Sequence, residues 1–99
     1  MTGMCKSIPG DRSMKNIILT VTDKQRRFLY DMEVPVTEPG YELAEDVMEV
    51  LNEGTPGLYL NARYHCLYIN RLGRVLSDQE SLAQAHVRNG DYVTIISRI

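Results

Sequence analysis

The stretch ELAEDVMEVLNE, residues 42–53, decides the fold because its apolar and acidic side chains separate onto opposite sides of a helix. The apolar residues follow the i, i+4, i+7, i+8 spacing of one helical stripe: Leu43, Val47, Val50 and Leu51. The acidic residues point away from that stripe: Glu42, Glu45, Asp46 and Glu49. The sequence therefore predicts an amphipathic helix that ends at Gly54 and covers one side of a core.

Two β-rich runs precede this helix and predict a hairpin. The first is KNIILTVT, residues 15–22, and four polar residues separate it from the second run, residues 27–34. Large apolar and aromatic residues occupy every other position of the second run: Phe28, Tyr30, Met32 and Val34. Period 2 places these side chains on one face of a strand. Pro35 and Pro39 then break the chain before the helix begins.

Three further extended pieces follow the helix. Residues 64–72 form a strand, and a brief extended piece at residues 74–76 follows a glycine turn. Residues 79–85 are predicted as a short helical turn, capped by Ser77 or Asp78. A turn at Asn89-Gly90-Asp91 then leads into the last strand, residues 92–96.

The resulting order is β-β-α-β-β-short helix-β, which predicts an α+β domain. A helix between the hairpin and the later strands lets the first and last strands lie side by side in parallel. We therefore predict a β-grasp fold, a five-stranded mixed sheet with one main helix, over residues 15–99. Residues 1–14 are predicted to be a disordered N-terminal arm.

Length and composition exclude several classes of protein. Ninety-nine residues provide one compact domain. A net charge of −2 disfavours nucleic-acid binding, since such proteins neutralise phosphates with basic residues. No window approaches the roughly twenty apolar residues of a membrane span, and the first residues lack the apolar core of a signal peptide. We expect a cytoplasmic protein without direct membrane insertion, whose Cys5 and Cys66 are reduced thiols.

Reactive residue types do not form a recognisable site. His65 and His86 are far apart without zinc-binding spacing, and the glycines form no phosphate-binding motif. His65 and Cys66 are adjacent on a predicted strand, so their side chains diverge. We therefore expect no catalytic residue, no metal and no cofactor, and a protein that is not an enzyme.

The helix-free face of the sheet is the predicted binding surface. Alternation places apolar side chains outward on four strands, with Asn70 beside them: Ile18, Leu29, Tyr68 and Ile96. Such a group favours a protein partner or a homodimer. The alternative is that these are ordinary exposed apolar residues of a half-solvated sheet. The acidic side of the helix is likewise either a solvated face or a docking surface for a basic partner.

Two segments carry a resemblance to a known family. YDMEVP, residues 30–35, is similar to the second strand of ubiquitin, and NRLGRVLSDQESLAQAHVRNGDYVTII, residues 70–96, resembles its turn, short strand, Leu82-bearing 3₁₀ segment and closing strand. Among ubiquitin-like proteins the chain looks most like the YukD-like proteins of bacterial type VII secretion systems.

This resemblance implies a function in protein–protein recognition. The sequence finishes Ser97-Arg98-Ile99, without the Gly-Gly that conjugation requires. The expectation is a non-conjugated ubiquitin-like interaction module, an accessory component of a type VII (WxG/ESX-type) secretion system. The alternative is a small protein modifier or carrier whose C-terminus is processed or extended.

Overall fold

The computed structural model describes residues 16–98 fully and residues 5–7 by their backbone. Along the chain the elements are β1 (Cys5–Ser7), β2 (Asn16–Asp23), β3 (Leu29–Pro35), α1 (Gly40–Gly54), β4 (His65–Ile69), β5 (Arg74–Val75) and β6 (Tyr92–Ser97). The predicted helix and the five predicted strands are confirmed, with bounds that differ from the predicted ones by a few residues.

The strands form one mixed sheet in the order β1-β3-β2-β6-β4-β5. β2 and β6 lie side by side in parallel, with Thr20 opposite Tyr92. β3 pairs antiparallel with β2, and β4 pairs antiparallel with both β5 and β6. These relations confirm the predicted β-grasp architecture, in which the chain returns through the helix to place its last strand beside its first long one.

The prediction for residues 1–14 is wrong at Cys5–Ser7. This segment runs parallel to β3, with Lys6 opposite Met32, and makes a sixth strand at the edge of the sheet. An open edge of β3 presents unpaired backbone groups, which even a short strand can satisfy. Three residues are too few for a recognisable strand pattern in the sequence. The rest of the predicted arm lies outside the described residues.

The apolar stripe of α1 forms the centre of the core. Leu43, Val47 and Leu51 are each at most 1% exposed, and Ala44 and Met48 widen the buried side of the helix. The sheet meets the helix with the inward side chains of its strands, among them Leu19, Val21, Met32, Val34, Leu67, Ile69, Val93 and Ile95. The predicted inward faces are thereby confirmed.

Residues 78–86 fold differently from the prediction of a 3₁₀ segment. They form consecutive turns, in which the Ser81 N–H donates to Gln84 Oε1 (2.9 Å) and the Gln84 N–H donates to Ser81 Oγ (3.2 Å). These reciprocal bonds resemble a capping box. Ser81 therefore caps residues 82–86. Ser77, one of the two predicted caps, caps the turn before them, where its Oγ accepts the Gln79 N–H at 3.4 Å and its N–H donates to Glu80 Oε1 at 3.2 Å. Leu82 is fully buried between the turns and the core.

Candidate functional site

Strand register brings three of the five predicted contact residues together on the helix-free face. Tyr68 on β4 lies opposite Thr94 on β6, and Ile96 is the next outward residue of β6. Asn70 accepts a hydrogen bond from the Thr94 hydroxyl at 2.7 Å. Tyr68, Asn70, Thr94, Ile96 and Lys24 line a hollow of about 380 Å³, which we call the Tyr68 hollow.

Leu29, the fourth predicted residue, lies at a neighbouring hollow. It pairs with Thr22 across β2 and β3 and is 62% exposed. This second hollow, of about 450 Å³, also contains Arg26 and Tyr92 in its walls, and we call it the Leu29 hollow. The two hollows share Lys24, Asn70 and Thr94. Together they form one recessed surface over the small threonine side chains of β2 and β6.

Ile18, the fifth predicted residue, lies apart from this surface. It pairs with Glu33, and its N–H donates to Asn89 Oδ1 at 2.7 Å, near the start of β6. Ile18 precedes Lys24 by six residues along β2, which corresponds to about 20 Å in an extended strand. Alternation correctly predicted its outward direction, but the predicted apolar group of four does not form because alternation says nothing about position along the strand.

Lys24 is a site residue that sequence reasoning missed. It follows β2 in a polar turn, where a solvated lysine is the ordinary interpretation. The parallel register pairs Asp23 with Ile95, so the next residue, Lys24, reaches the level of Ile96. The position of Lys24 beside the hollow follows only from the pairing register of β2 and β6, which the residue pattern alone does not determine.

The turn that carries Lys24 is held by Asp23. The Asp23 carboxylate accepts the Arg27 N–H at 2.9 Å and pairs with the Arg27 guanidinium, while the Asp23 carbonyl accepts the Arg26 N–H at 3.0 Å. Burial opposes ionisation of Asp23, but the bonds from Arg27 hold the pKa of its carboxyl below the ordinary value. These bonds fix the turn and leave the side chains of Lys24 and Arg26 on its outside.

Cys66 and His65 offer no coupled pair. Alternation with the inward Leu67 predicts that the Cys66 side chain faces outward, yet it is only 5% exposed. Burial raises the pKa of its thiol, which lowers the fraction of reactive thiolate. The His65 ring instead meets the backbone of Asn61, whose N–H lies 3.2 Å from Nδ1.

The acidic side of α1 borders another hollow, of about 460 Å³. The four acids in its wall are Glu45, Asp46, Glu49 and Glu53. Within residues 16–98 none of them belongs to an acid–base ion pair, and no group of three or more His, Cys, Asp or Glu side chains could hold a metal ion. Both interpretations of this acidic side, a solvated face and a docking surface for a basic partner, stay predictions.

Glu38 adds a titratable group beside this acidic side. Its Oε1 is buried and has no hydrogen-bond partner in the described part of the chain, and its carboxyl shares a hydrogen bond with the Asp46 carboxyl. Burial, followed by the charge of Asp46, raises the pKa of Glu38 to about 7. Glu38 is therefore protonated in the folded chain at pH values where it ionises in the unfolded chain.

We expect the free energy of unfolding to fall as the pH rises from 5 to 8. The folded chain keeps the Glu38 proton between pH 4.5 and about 7, so the stabilisation is present at the lower end of this window and lost across it. Each pKa unit corresponds to about 1.4 kcal/mol, and partial solvent screening reduces the total to about 1–2 kcal/mol. Urea unfolding at several pH values measures this slope.

The Glu38→Gln variant should remove this slope, since glutamine carries no titratable proton. Glu49→Gln on the same helix is the matched control and should retain it. Equal pH dependence of the two variants would refute the assignment to Glu38.

A hollow of about 600 Å³ lies at the start of α1. Its acidic groups are already engaged within the chain. Glu45 raises the pKa of the neighbouring Tyr41 hydroxyl, and Asp78 accepts a hydrogen bond from Arg98 at 3.0 Å. The helix-free face, where Lys24 and Arg26 lack such partners, is the better candidate for recognition.

Comparison with solved structures supports the fold assignment. The chain is similar to a ubiquitin-like domain from an Arabidopsis thaliana protein, with 17% identity and a TM-score of 0.67 over 90% of this chain and 84% of that one. It is also similar to Caldiarchaeum subterraneum ubiquitin, with 19% identity and a TM-score of 0.67 over 86% and 96% of the two chains. The described domain has the ubiquitin-like fold.

A third similarity is to a chain of the MycP5-free ESX-5 inner membrane complex. The identity is 18% and the TM-score is 0.67, over 83% of this chain and 21% of that larger chain. No protein-family model matches the sequence, and no curated protein matches it. In the described residues, no helix is both long and apolar enough to cross a bilayer.

Proposed function

We propose that this chain is a ubiquitin-like interaction module that binds a protein partner through its helix-free face. The observation that carries the proposal is the recessed surface of the Tyr68 and Leu29 hollows. It brings an aromatic ring, two aliphatic side chains and two cations without an ion pair among the described residues together on the helix-free side of the domain. Such a mixture of apolar anchors and polar groups is typical of protein interfaces, and tyrosine is enriched there.

The partner that we propose belongs to a bacterial type VII secretion apparatus, with binding in the cytoplasm. Support comes from the resemblance of the sequence to YukD-like proteins and from the ubiquitin-like fold shared with a chain of the ESX-5 inner membrane complex. The module would act by surface complementarity, without catalysis and without a cofactor.

Arg98, the last residue that the structure describes, is held to the domain by three hydrogen bonds. The Arg98 N–H donates to the Tyr64 carbonyl at 2.9 Å. Its guanidinium donates to the Ala62 carbonyl at 2.8 Å and to Asp78 at 3.0 Å. A modifier would need a free extended tail beyond Arg98. A modifier or carrier would instead appear as a ladder of higher masses when the chain is isolated from its native cell, which intact-mass measurement detects.

We expect the double variant Tyr68→Ala/Ile96→Ala to lose at least about 30-fold in affinity for a purified ESX-type inner-membrane complex, because truncation of central anchors costs about 2 kcal/mol or more. Biolayer interferometry with the immobilised chain measures this loss.

Ile18→Ala is the matched control. It removes an apolar side chain from the same face, outside both hollows, and should leave the affinity within about twofold. Equal binding by the wild type and the double variant would show that the surface is wrong. Absence of binding by the wild type would show that the proposed partner is wrong.

A further inference from the structure

The described part of the chain distributes its ion pairs unevenly. Four arginines are paired with carboxylates, namely Arg27 with Asp23, Arg71 with Asp91, Arg74 with Glu80 and Arg98 with Asp78. Lys24 and Arg26 belong to none of these pairs, although in the sequence they lie between the two partners of one of them, Asp23 and Arg27. Since Asp23 is saturated by Arg27 and by the backbone, the turn at residues 23–27 contains two cations without an internal counterion.

Both of these cations border the recessed surface. Lys24 lines the Tyr68 hollow and the Leu29 hollow, and Arg26 lines the Leu29 hollow. The walls of the Tyr68 hollow contain no acidic residue, and the one acid of the Leu29 hollow is the buried Asp23. A carboxylate that approached this rim would therefore meet two cations and no competing free anion.

The backbone presents these cations in a fixed position. Arg26 adopts a left-handed conformation, with φ of 55°, and its N–H is bonded to the Asp23 carbonyl. Side chains that start from a fixed turn lose less conformational freedom on binding than side chains of a mobile loop. Tyr68 and Ile96 line the same hollow as Lys24 and give it an apolar wall.

The opposite side of the molecule has the opposite charge. The acids of α1 are exposed or half-buried there and are not ion-paired within residues 16–98. An acidic partner is repelled from the helix side and attracted to the turn at residues 23–27, which orients it on the molecule. The net charge of −2 gives no such orientation, so the local distribution must supply it.

We infer that the partner segment of the helix-free face places an aliphatic side chain in the Tyr68 hollow and a neighbouring carboxylate against Lys24 and Arg26. This inference rests on the proposed function and adds the chemistry of the partner: a protein segment in which leucine-type residues are flanked by Asp or Glu. The aliphatic side chain adds apolar contact area that is removed from water, and the carboxylate fixes the position of the segment along the surface.

The test uses ¹⁵N-labelled chain and two synthetic peptides. One is the acidic peptide acetyl-Gly-Asp-Glu-Leu-Leu-Asp-Glu-Gly-amide, and the other is its neutral counterpart with Asn and Gln in place of Asp and Glu. We expect the acidic peptide to shift the backbone amides of Lys24, Tyr68, Thr94 and Ile96. The neutral peptide should bind the same face about tenfold more weakly, since close charge pairs contribute to both affinity and register.

Charge-reversal variants identify the cations that matter. Lys24→Glu/Arg26→Glu should reduce the affinity for the acidic peptide about tenfold or more, because repulsion replaces attraction. Arg63→Glu/Arg88→Glu is the matched control, because these two arginines also lack an ion pair among the described residues but lie outside both hollows. It should leave the affinity within about twofold.

Equal binding of both peptides at this face would overturn the inference and leave the proposed function intact. Equal loss in the two charge-reversal variants would also overturn it, because the effect would then be one of overall charge. Amide shifts confined to α1 would overturn both this inference and the choice of surface. The backbone amide spectrum of each variant, compared with that of the wild type, verifies that the fold is retained.

Discussion

Replacing Gly40 with alanine is expected to lower the free energy of unfolding by about 3 kcal/mol or more. Gly40 is the first residue of α1, and a Cβ there would overlap the Ser77 carbonyl oxygen. It would also lie 3.1 Å from the Glu80 carbonyl oxygen and 3.2 Å from Leu76 Cδ2. Two of these neighbours are backbone atoms, which cannot rotate away as a flexible side chain does.

The steric overlap matters because the same close approach supplies hydrogen-bond partners for the first N–H groups of α1. The first N–H groups of a helix lack partners within it. Here the Gly40 N–H donates to the Glu80 carbonyl at 2.8 Å, and the Tyr41 N–H donates to the Asp78 carbonyl at 3.0 Å. An alanine that pushes residues 77–80 away weakens both bonds. Helix propensity alone would favour alanine by about 1 kcal/mol, so a destabilised variant isolates the steric effect.

Urea unfolding of Gly40→Ala beside Gly57→Ala gives the comparison. Gly57 has a φ of +85°, and nothing lies within 4 Å of an added Cβ, so alanine there meets backbone strain without overlap. We expect a loss of about 1–2 kcal/mol for Gly57→Ala. A Gly40→Ala variant as stable as the wild type would contradict the close approach of α1 to residues 77–80.

Local patterns predicted most of the fold because each long element buries one side. The stripe that contains Leu43 and Leu51 has no other stable position than against the sheet, and the alternation from Phe28 to Val34 fixes which face of β3 meets it. The strand at Cys5–Ser7 could not be predicted, because a segment this short has no pattern of buried and exposed positions. Its three residues have no period, and only the open edge of β3 gives them a place.

The candidate site was predicted less completely because it depends on register. Alternation determines that Tyr68, Ile96 and Ile18 point to the same side of the sheet, and it is right about all three. Their separation along the strands depends on the offset of β6 against β2, which long-range packing sets. That offset brings Lys24 to Ile96 and leaves Ile18 beside Glu33 and Asn89. The residue pattern therefore predicts which face of the sheet these side chains share, but only the folded chain shows which of them lie close together.

Leu82→Ala should destabilise the domain by about 3–4 kcal/mol, because Leu82 is fully buried and no strand or helix ladder holds its segment in place. Two backbone hydrogen bonds depend on the buried position of this side chain. The Val87 N–H donates to the Leu82 carbonyl at 3.0 Å, and the Ala83 N–H donates to the Val36 carbonyl at 2.9 Å. For a domain of this size the melting temperature should fall by about 12–30 °C, as measured by circular dichroism.

Leu29→Ala, which truncates a leucine that is 62% exposed, should change stability by about 0.5 kcal/mol or less. If the two leucine variants unfold at the same urea concentration, residues 78–86 are not anchored through Leu82. Faster hydrogen exchange at the Gly40 and Tyr41 amides in Leu82→Ala would show that the same anchor supports the start of α1.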